Sequence, residues 1–179
     1  LNTTKDIIIV EWKTDEIYIQ TALEKLKEDN PKYKNLDFEF LLMWWSDYEI
    51  LKRFSEQFPA KQWQKIMAFF DRDDAGFKCI KNALWEENLQ KDTFSWKKLK
   101  DIYVNFYPKK PWFTQSNFEI EDYFRIEKVI EFMYKWNWIQ VFWDTKSKLY
   151  KNSFANECKN FDKSEFENFK TLFDLIETF

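Results

Sequence analysis

Histidine is absent from the 179-residue sequence. The Ser-His-Asp triad, the Cys-His pair and every histidine zinc site are thereby excluded. Acid–base chemistry must run on carboxylates, lysine, tyrosine or metal-bound water. Glycine occurs once, as Gly76, so a phosphate-binding loop of the form G-x-x-x-x-G-K-[ST], which needs two, cannot be built. The two cysteines, Cys79 and Cys158, are too few for a zinc site of their own and read as reduced thiols in helical segments, which points to the cytoplasm. No apolar run approaches the ~18 residues that a membrane span requires. The amino terminus has neither the basic region nor the long apolar core of a signal peptide. The sequence opens at Leu1 rather than methionine, as expected of a processed chain, an incomplete start or a piece of a longer protein.

Aromatic residues are plentiful instead: 21% of the chain, with ten Trp and twenty Phe, beside 33% charged residues. This is the composition of a globular chain, and its length suits one domain with appendages. The net charge of -3 argues against a protein that is basic overall, so any contact with nucleic acid depends on where Lys and Arg cluster.

The most informative stretch is Ile66-Met67-Ala68-Phe69-Phe70-Asp71-Arg72-Asp73-Asp74-Ala75-Gly76. Its apolar run predicts a strand buried on both faces, as in parallel sheets, and such strands present ligands beyond their carboxyl ends. In extended backbone Asp71 and Asp73 share one side, and paired carboxylates repel unless a cation neutralises them. Mg²⁺ or Mn²⁺ would suit oxygen ligands. Gly76 can supply a positive φ or allow close backbone approach in a strand-to-helix turn. The competing reading is that these acids solvate a turn and cap the next helix.

Read in order, Asp6 to Val10 is a β-branched strand with Glu11 at its carboxyl end. Thr14 or Asp15 then caps a helix whose apolar side carries Ile19, Ala22, Leu23 and Leu26, ending near Asn30-Pro31. Asp15 is a cap or, beside a strand end, a second carboxylate in reach of an ion. Leu36 to Met43 is a second strand followed by a turn at Trp44-Trp45-Ser46, whose tryptophans serve packing or base stacking. A helix covers Asp47 to Phe58, the third strand Lys65 to Phe70, and a further helix carries Phe77, Ile80 and Leu84 before a charged loop. Ile102, Val104 and Phe106 alternate in a fourth strand. Three strand–helix units in succession predict an α/β domain with a mainly parallel sheet. The acidic cluster Glu119-Ile120-Glu121-Asp122 precedes a helix to about Lys135, and the tail holds helical segments at Lys151 to Asn160 and Ser164 to Phe179. In the last of these, Phe166, Phe169, Phe173 and Ile176 form an apolar stripe for a core or an interface.

Val10-Glu11-Trp12-Lys13-Thr14-Asp15 followed by Phe70-Asp71-Arg72-Asp73-Asp74-Ala75-Gly76 resembles the TOPRIM domain of topoisomerases, DnaG-type primases and several nucleases. The acidic set looks closest to the nuclease domain of OLD-family endonucleases. The resemblance implies a Rossmann-like sheet of about four strands flanked by helices over residues 1–112, with an acidic motif and a helical carboxyl-terminal extension over 113–179 packed on that core. It implies that Glu11, Asp71 and Asp73 bind one or two Mg²⁺ or Mn²⁺ ions, that Asp15 and Glu121 (with Glu119 in reserve) complete the second site, and that Lys151 neutralises charge on the phosphate. The family usually has glycine after its first glutamate, where this chain has Trp12; an indole there narrows the channel, stacks on a base or impairs the site.

The expected function is metal-dependent hydrolysis of nucleic-acid phosphodiesters, DNA in preference to RNA. Lys13, Lys97, Lys98, Lys100, Lys109, Lys110, Lys146 and Lys148 are candidate backbone contacts or solvated loop charges. An ABC-type ATPase partner, which the family usually carries upstream, would lie outside this sequence, no membrane is involved, and a homodimer is compatible. The rival is a non-catalytic scaffold that binds nucleic acid or a partner protein, with its acids holding a structural cation or none.

Overall fold

A computed structural model describes residues 3–44, 46–61, 63–135 and 147–179. Five strands form one sheet: β1 (Asp6–Val10), β2 (Phe38–Leu42), β3 (Ile66–Phe70), β4 (Lys97–Leu99) and β5 (Ile102–Phe106), in the order β2-β1-β3-β5-β4. All neighbours are parallel except β4, which pairs antiparallel with β5. The architecture is α/β, a mostly parallel sheet flanked by helices, compatible with a Rossmann-like arrangement.

Burial explains why the central strands were legible. Every residue of β3 is buried, as expected of a strand covered on both faces. The register aligns Leu41, Ile9, Ala68 and Val104 across four strands, and Ile7, Ile66 and Ile102 across three, so apolar rows run continuously over one face. The expected count of about four strands is corrected to five. The addition is β4, in which Lys97 and Lys98 are exposed. Short, lysine-bearing edge strands discourage pairing with another chain, and the same lysines make the segment read as a charged loop.

By its contacts the chain divides into two compact units, Leu1–Lys13 with Leu36–Glu119, and Thr14–Asn35 with Ile120–Phe179. The first holds the sheet with helices α2 (Tyr48–Gln57) and α3 (Asp74–Leu84). Leu51 of α2 and Cys79, Ile80 and Ala83 of α3 join Ile7, Ile9, Ile66, Ala68, Phe70, Ile102, Val104 and Phe106 in one core. These strand positions alternate, as one face of a pleated sheet requires. Helix α2 starts where Asp47 accepts from the Glu49 N–H at 2.8 Å. Helix α3 ends at Trp85, whose φ of 57° is left-handed and whose N–H returns to the Lys81 carbonyl.

The second unit is helical: α1 (Lys13–Lys27, entering it at Thr14), α4 (Ile126–Lys135), α5 (Ser147–Cys158) and α6 (Lys170–Glu177), with 3₁₀ turns at Pro31–Tyr33, Ile120–Tyr123 and Lys163–Phe169. Much of the chain's phenylalanine goes into its core. Phe124 meets Phe154 at 5.0 Å, Phe169 at 5.3 Å, Tyr18 at 5.4 Å and Phe166 at 5.5 Å between ring centres, all steeply inclined, the edge-to-face arrangement that ring quadrupoles favour. The stripe Phe166, Phe169, Phe173 and Ile176 is buried, although its first half winds as a 3₁₀ turn rather than continuous α-helix. Helix α1 begins at Lys13, so Thr14 and Asp15 lie inside its first turn and not at its cap. Among the described residues no helix is long and apolar enough to cross a membrane.

Candidate functional site

Parallel β1, β2, β3 and β5 bring their carboxyl ends to one edge of the sheet, and the first unit's acids sit there. Glu11 follows β1 and is 2% exposed; Asp71 follows β3 and is 6% exposed. Glu11 Oε1 accepts a short hydrogen bond from the Ser46 hydroxyl. Beyond β3 the Arg72 N–H donates to the Phe118 carbonyl at 2.7 Å, and the Phe118 N–H donates back at 3.2 Å. This bridge extends the strand path past Asp71. Asp73 then caps α3, its Oδ1 accepting the Gly76 N–H at 2.7 Å. The capping role of Asp73 is therefore realised, which leaves its charge at the helix amino terminus, where a negative group is favourable.

Gly76 is required for close approach and not for a positive φ, which no described glycine has. A Cβ at this position would stand 2.2 Å from the Asp71 carbonyl oxygen and 3.3 Å from Phe70 Cβ. The backbone carbonyl just past the end of β3 thus lies against the first turn of α3. The Arg72 side chain is given to structure: Nη1 donates to the Lys91 carbonyl at 2.7 Å and the guanidinium lies 5.0 Å from the Phe106 ring centre.

Two residues of this edge are not singled out by sequence pattern. Ser46 touches Glu11 directly, and Asp47 follows it at the start of α2. The Cys79 thiol is pushed far up, first by burial and then by the charges of Glu11 and Asp47, so both carboxylates act on one buried group. The signal that could have found them is the one that marks Glu11 and Asp71: residues just past the end of β2 belong to the same sheet edge.

The second unit holds Asp15, Glu121 and Lys151. Asp15 is 2% exposed and accepts from the Thr14 hydroxyl at 3.3 Å. Glu121, in its 3₁₀ turn, pairs with Lys151 Nζ at 3.2 Å. Tyr18 donates to the Lys151 carbonyl at 3.2 Å. Two residues expected in separate roles, as ligand and as phosphate partner, thus neutralise each other. Glu119 is half-buried in the first unit.

The candidate lysines make mostly local contacts. Lys109 donates to the Gln115 carbonyl at 2.6 Å, Lys110 lies 5.8 Å from the Phe113 ring centre, and Lys98 lies 5.1 Å from that of Tyr103. Lys97 pairs with Glu86 at 3.2 Å and Lys100 with Glu56 at 3.6 Å. Lys13 is exposed. Lys146, Trp45 and the side chain of Lys148 lie outside the described residues.

In kind, the donors at the strand ends fit a hard divalent cation, because they are carboxylates with a neighbouring hydroxyl, and the nearby Cys79 thiol is held protonated by burial. In spacing they are open: among the described residues no three His, Cys, Asp or Glu side chains are gathered closely enough to hold an ion. Comparison with family models, with curated proteins and with solved structures finds no match for this chain.

Proposed function

We propose that the first unit is a divalent-metal-dependent phosphodiesterase of the TOPRIM type, acting on nucleic acid and on DNA in preference to RNA. The observation that carries this reading is the burial of Glu11 and Asp71 at adjacent parallel strand ends. Burying carboxylates at neighbouring strand ends is costly, and a cation bound there would offset part of that cost. Glu11 and Asp71 would be the principal ligands, with Asp73 adding the oxygen not committed to its cap. A bound Mg²⁺ or Mn²⁺ would polarise the phosphate and lower the pKa of an attacking water. The chain's own part is to orient the carboxylates. Ser46 fixes Glu11, the Arg72–Phe118 bridge fixes the backbone beyond Asp71, and the Gly76 N–H fixes Asp73. The resemblance would add Asp15 and Glu121. Glu121 is already paired with Lys151, so the proposal rests on the first three acids.

Calorimetric titration of Mn²⁺ into the protein, beside Glu11→Gln and Asp71→Asn, tests the ligand assignment; the parent binds and both variants lose most of the affinity. The scaffold reading is favoured by the capping role of Asp73 and the open spacing of the acids. Metal binding without cleavage of either plasmid DNA or structured RNA would select it.

A further inference from the structure

Between helices α2 and α3 of the first unit lies an open hollow of about 300 Å³, lined by Tyr48, Lys52, Lys81, Asn82, Trp85, Glu86 and Glu87. Trp85 forms an open wall, 81% exposed. It occupies the left-handed position that closes α3, where glycine is the usual residue because a side chain there is strained. An indole held strained and in water is not explained by core packing. Lys52 Nζ lies 4.2 Å from the Trp85 ring centre and 4.8 Å from that of Tyr48. Among the described residues neither Lys52 nor Lys81 is in an ion pair. Glu86 is neutralised by Lys97 at 3.2 Å. Glu87 also lines the hollow and Glu49 hydrogen-bonds Tyr48, so Lys52 and Lys81 are two cations without an ion-pair partner in a locally balanced field.

The geometry points to a nucleotide-binding site in this hollow, taking a planar base joined to a phosphate. The base stacks on the exposed face of Trp85, Asn82 offers an amide to its edge, and Lys52 and Lys81 meet the phosphate. Stacking on an indole suits any base, because each has a π-face. A volume at the lower end of ligand pockets suits one nucleotide unit rather than a duplex, and two lysines beside Glu87 and Glu49 suit a phosphodiester or monophosphate rather than a polyphosphate. The inference does not rest on hydrolysis at the strand ends: a chain that binds nucleotides here and cuts nothing keeps this site and loses the other.

The probes are 5′-AMP, a fluorescent ten-nucleotide oligodeoxyadenylate and inorganic phosphate, titrated against the full chain. Trp85→Gly is the main variant, since glycine relieves the left-handed strain and preserves the fold, as thermal melting should verify. It weakens oligonucleotide and AMP binding by about tenfold or more, the loss expected for one stacked base. Lys52→Gln weakens both as well, whereas Trp63→Ala, another exposed indole, changes neither. Tighter binding of the oligonucleotide than of AMP identifies an unpaired strand as the source; equal binding identifies the free nucleotide. The site is overturned if the parent binds neither probe, if phosphate alone binds as well as AMP, or if Trp85→Gly binds like the parent.

Discussion

Replacing Gly76 with alanine sets two effects against each other, and the structure says which wins. Gly76 is the third residue of α3 and has no left-handed backbone. On helix propensity alone, alanine would stabilise by up to about 1 kcal/mol. The new methyl, however, would lie 2.2 Å from the Asp71 carbonyl oxygen and 3.4 Å from the carbonyl carbon. Those are backbone atoms at the end of a fully buried strand, so they cannot swing aside as a flexible side chain could. Overpacking of this kind costs about 1–3 kcal/mol and more where the backbone must move. Because the 2.2 Å contact is to backbone, the cost lies at or above the upper end of that range, about 3 kcal/mol, and less the propensity gain the net loss is about 2 kcal/mol. At about 2–4 °C per kcal/mol for a chain of this size, the melting temperature falls by about 4–8 °C. Thermal melting followed by circular dichroism reads this directly. A Gly76→Ala variant as stable as the parent, or more so, would refute the close approach of α3 to the end of β3.

Three further outcomes are expected on the same physical grounds. Asp73→Ala removes the cap and costs about 1 kcal/mol in urea titration, whereas Asp73→Asn keeps a capping oxygen and the stability but lowers Mn²⁺ affinity. Burial pushes the Cys158 thiol up to about 11 and the Cys79 thiol higher still, so neither reacts with a disulfide reagent at neutral pH until urea unfolds the chain; thiol titration with and without urea measures this. The Arg125 hydrogen bond holds the Glu165 carboxyl below its ordinary value despite burial. That contribution is therefore complete above the ordinary carboxylate range, roughly pH 4 to 5, and is lost as the pH falls further through the folded value. Glu165→Gln flattens the acid limb of stability against pH in that window.

The parts of the fold that were legible are those in which local pattern and burial agree. Strands β1, β3 and β5 are uninterrupted apolar or alternating runs, buried throughout except for the half-buried Asp6 and Tyr103. Helices α2 and α3 have capping aspartates and periodic apolar faces. Strand β4 was not legible because its lysines obey the logic of an exposed edge, which looks like a loop when the partner strand is unknown. The grouping of α1 with the carboxyl-terminal helices was equally hidden, since it depends on rings such as Tyr18 and Phe124, far apart in sequence and 5.4 Å apart in space. For the site, Glu11 and Asp71 could be found because the end of a parallel strand fixes where the next residue emerges. The partners that occupy these acids could not be found. Spacing does not reveal that Ser46 bonds Glu11, that Gly76 takes an oxygen of Asp73, or that Glu121 and Lys151 find each other.

The central claim is that buried carboxylates at the strand ends serve a catalytic cation. Nicking of supercoiled plasmid DNA by the parent and by Asp71→Asn, each with Mg²⁺, with Mn²⁺ and with a chelator, tests it most directly. The account predicts metal-dependent nicking by the parent and a loss of at least about a hundredfold in the variant, as removal of a group that stabilises transition-state charge produces. Equal nicking by the two proteins, or nicking that survives the chelator, would contradict it.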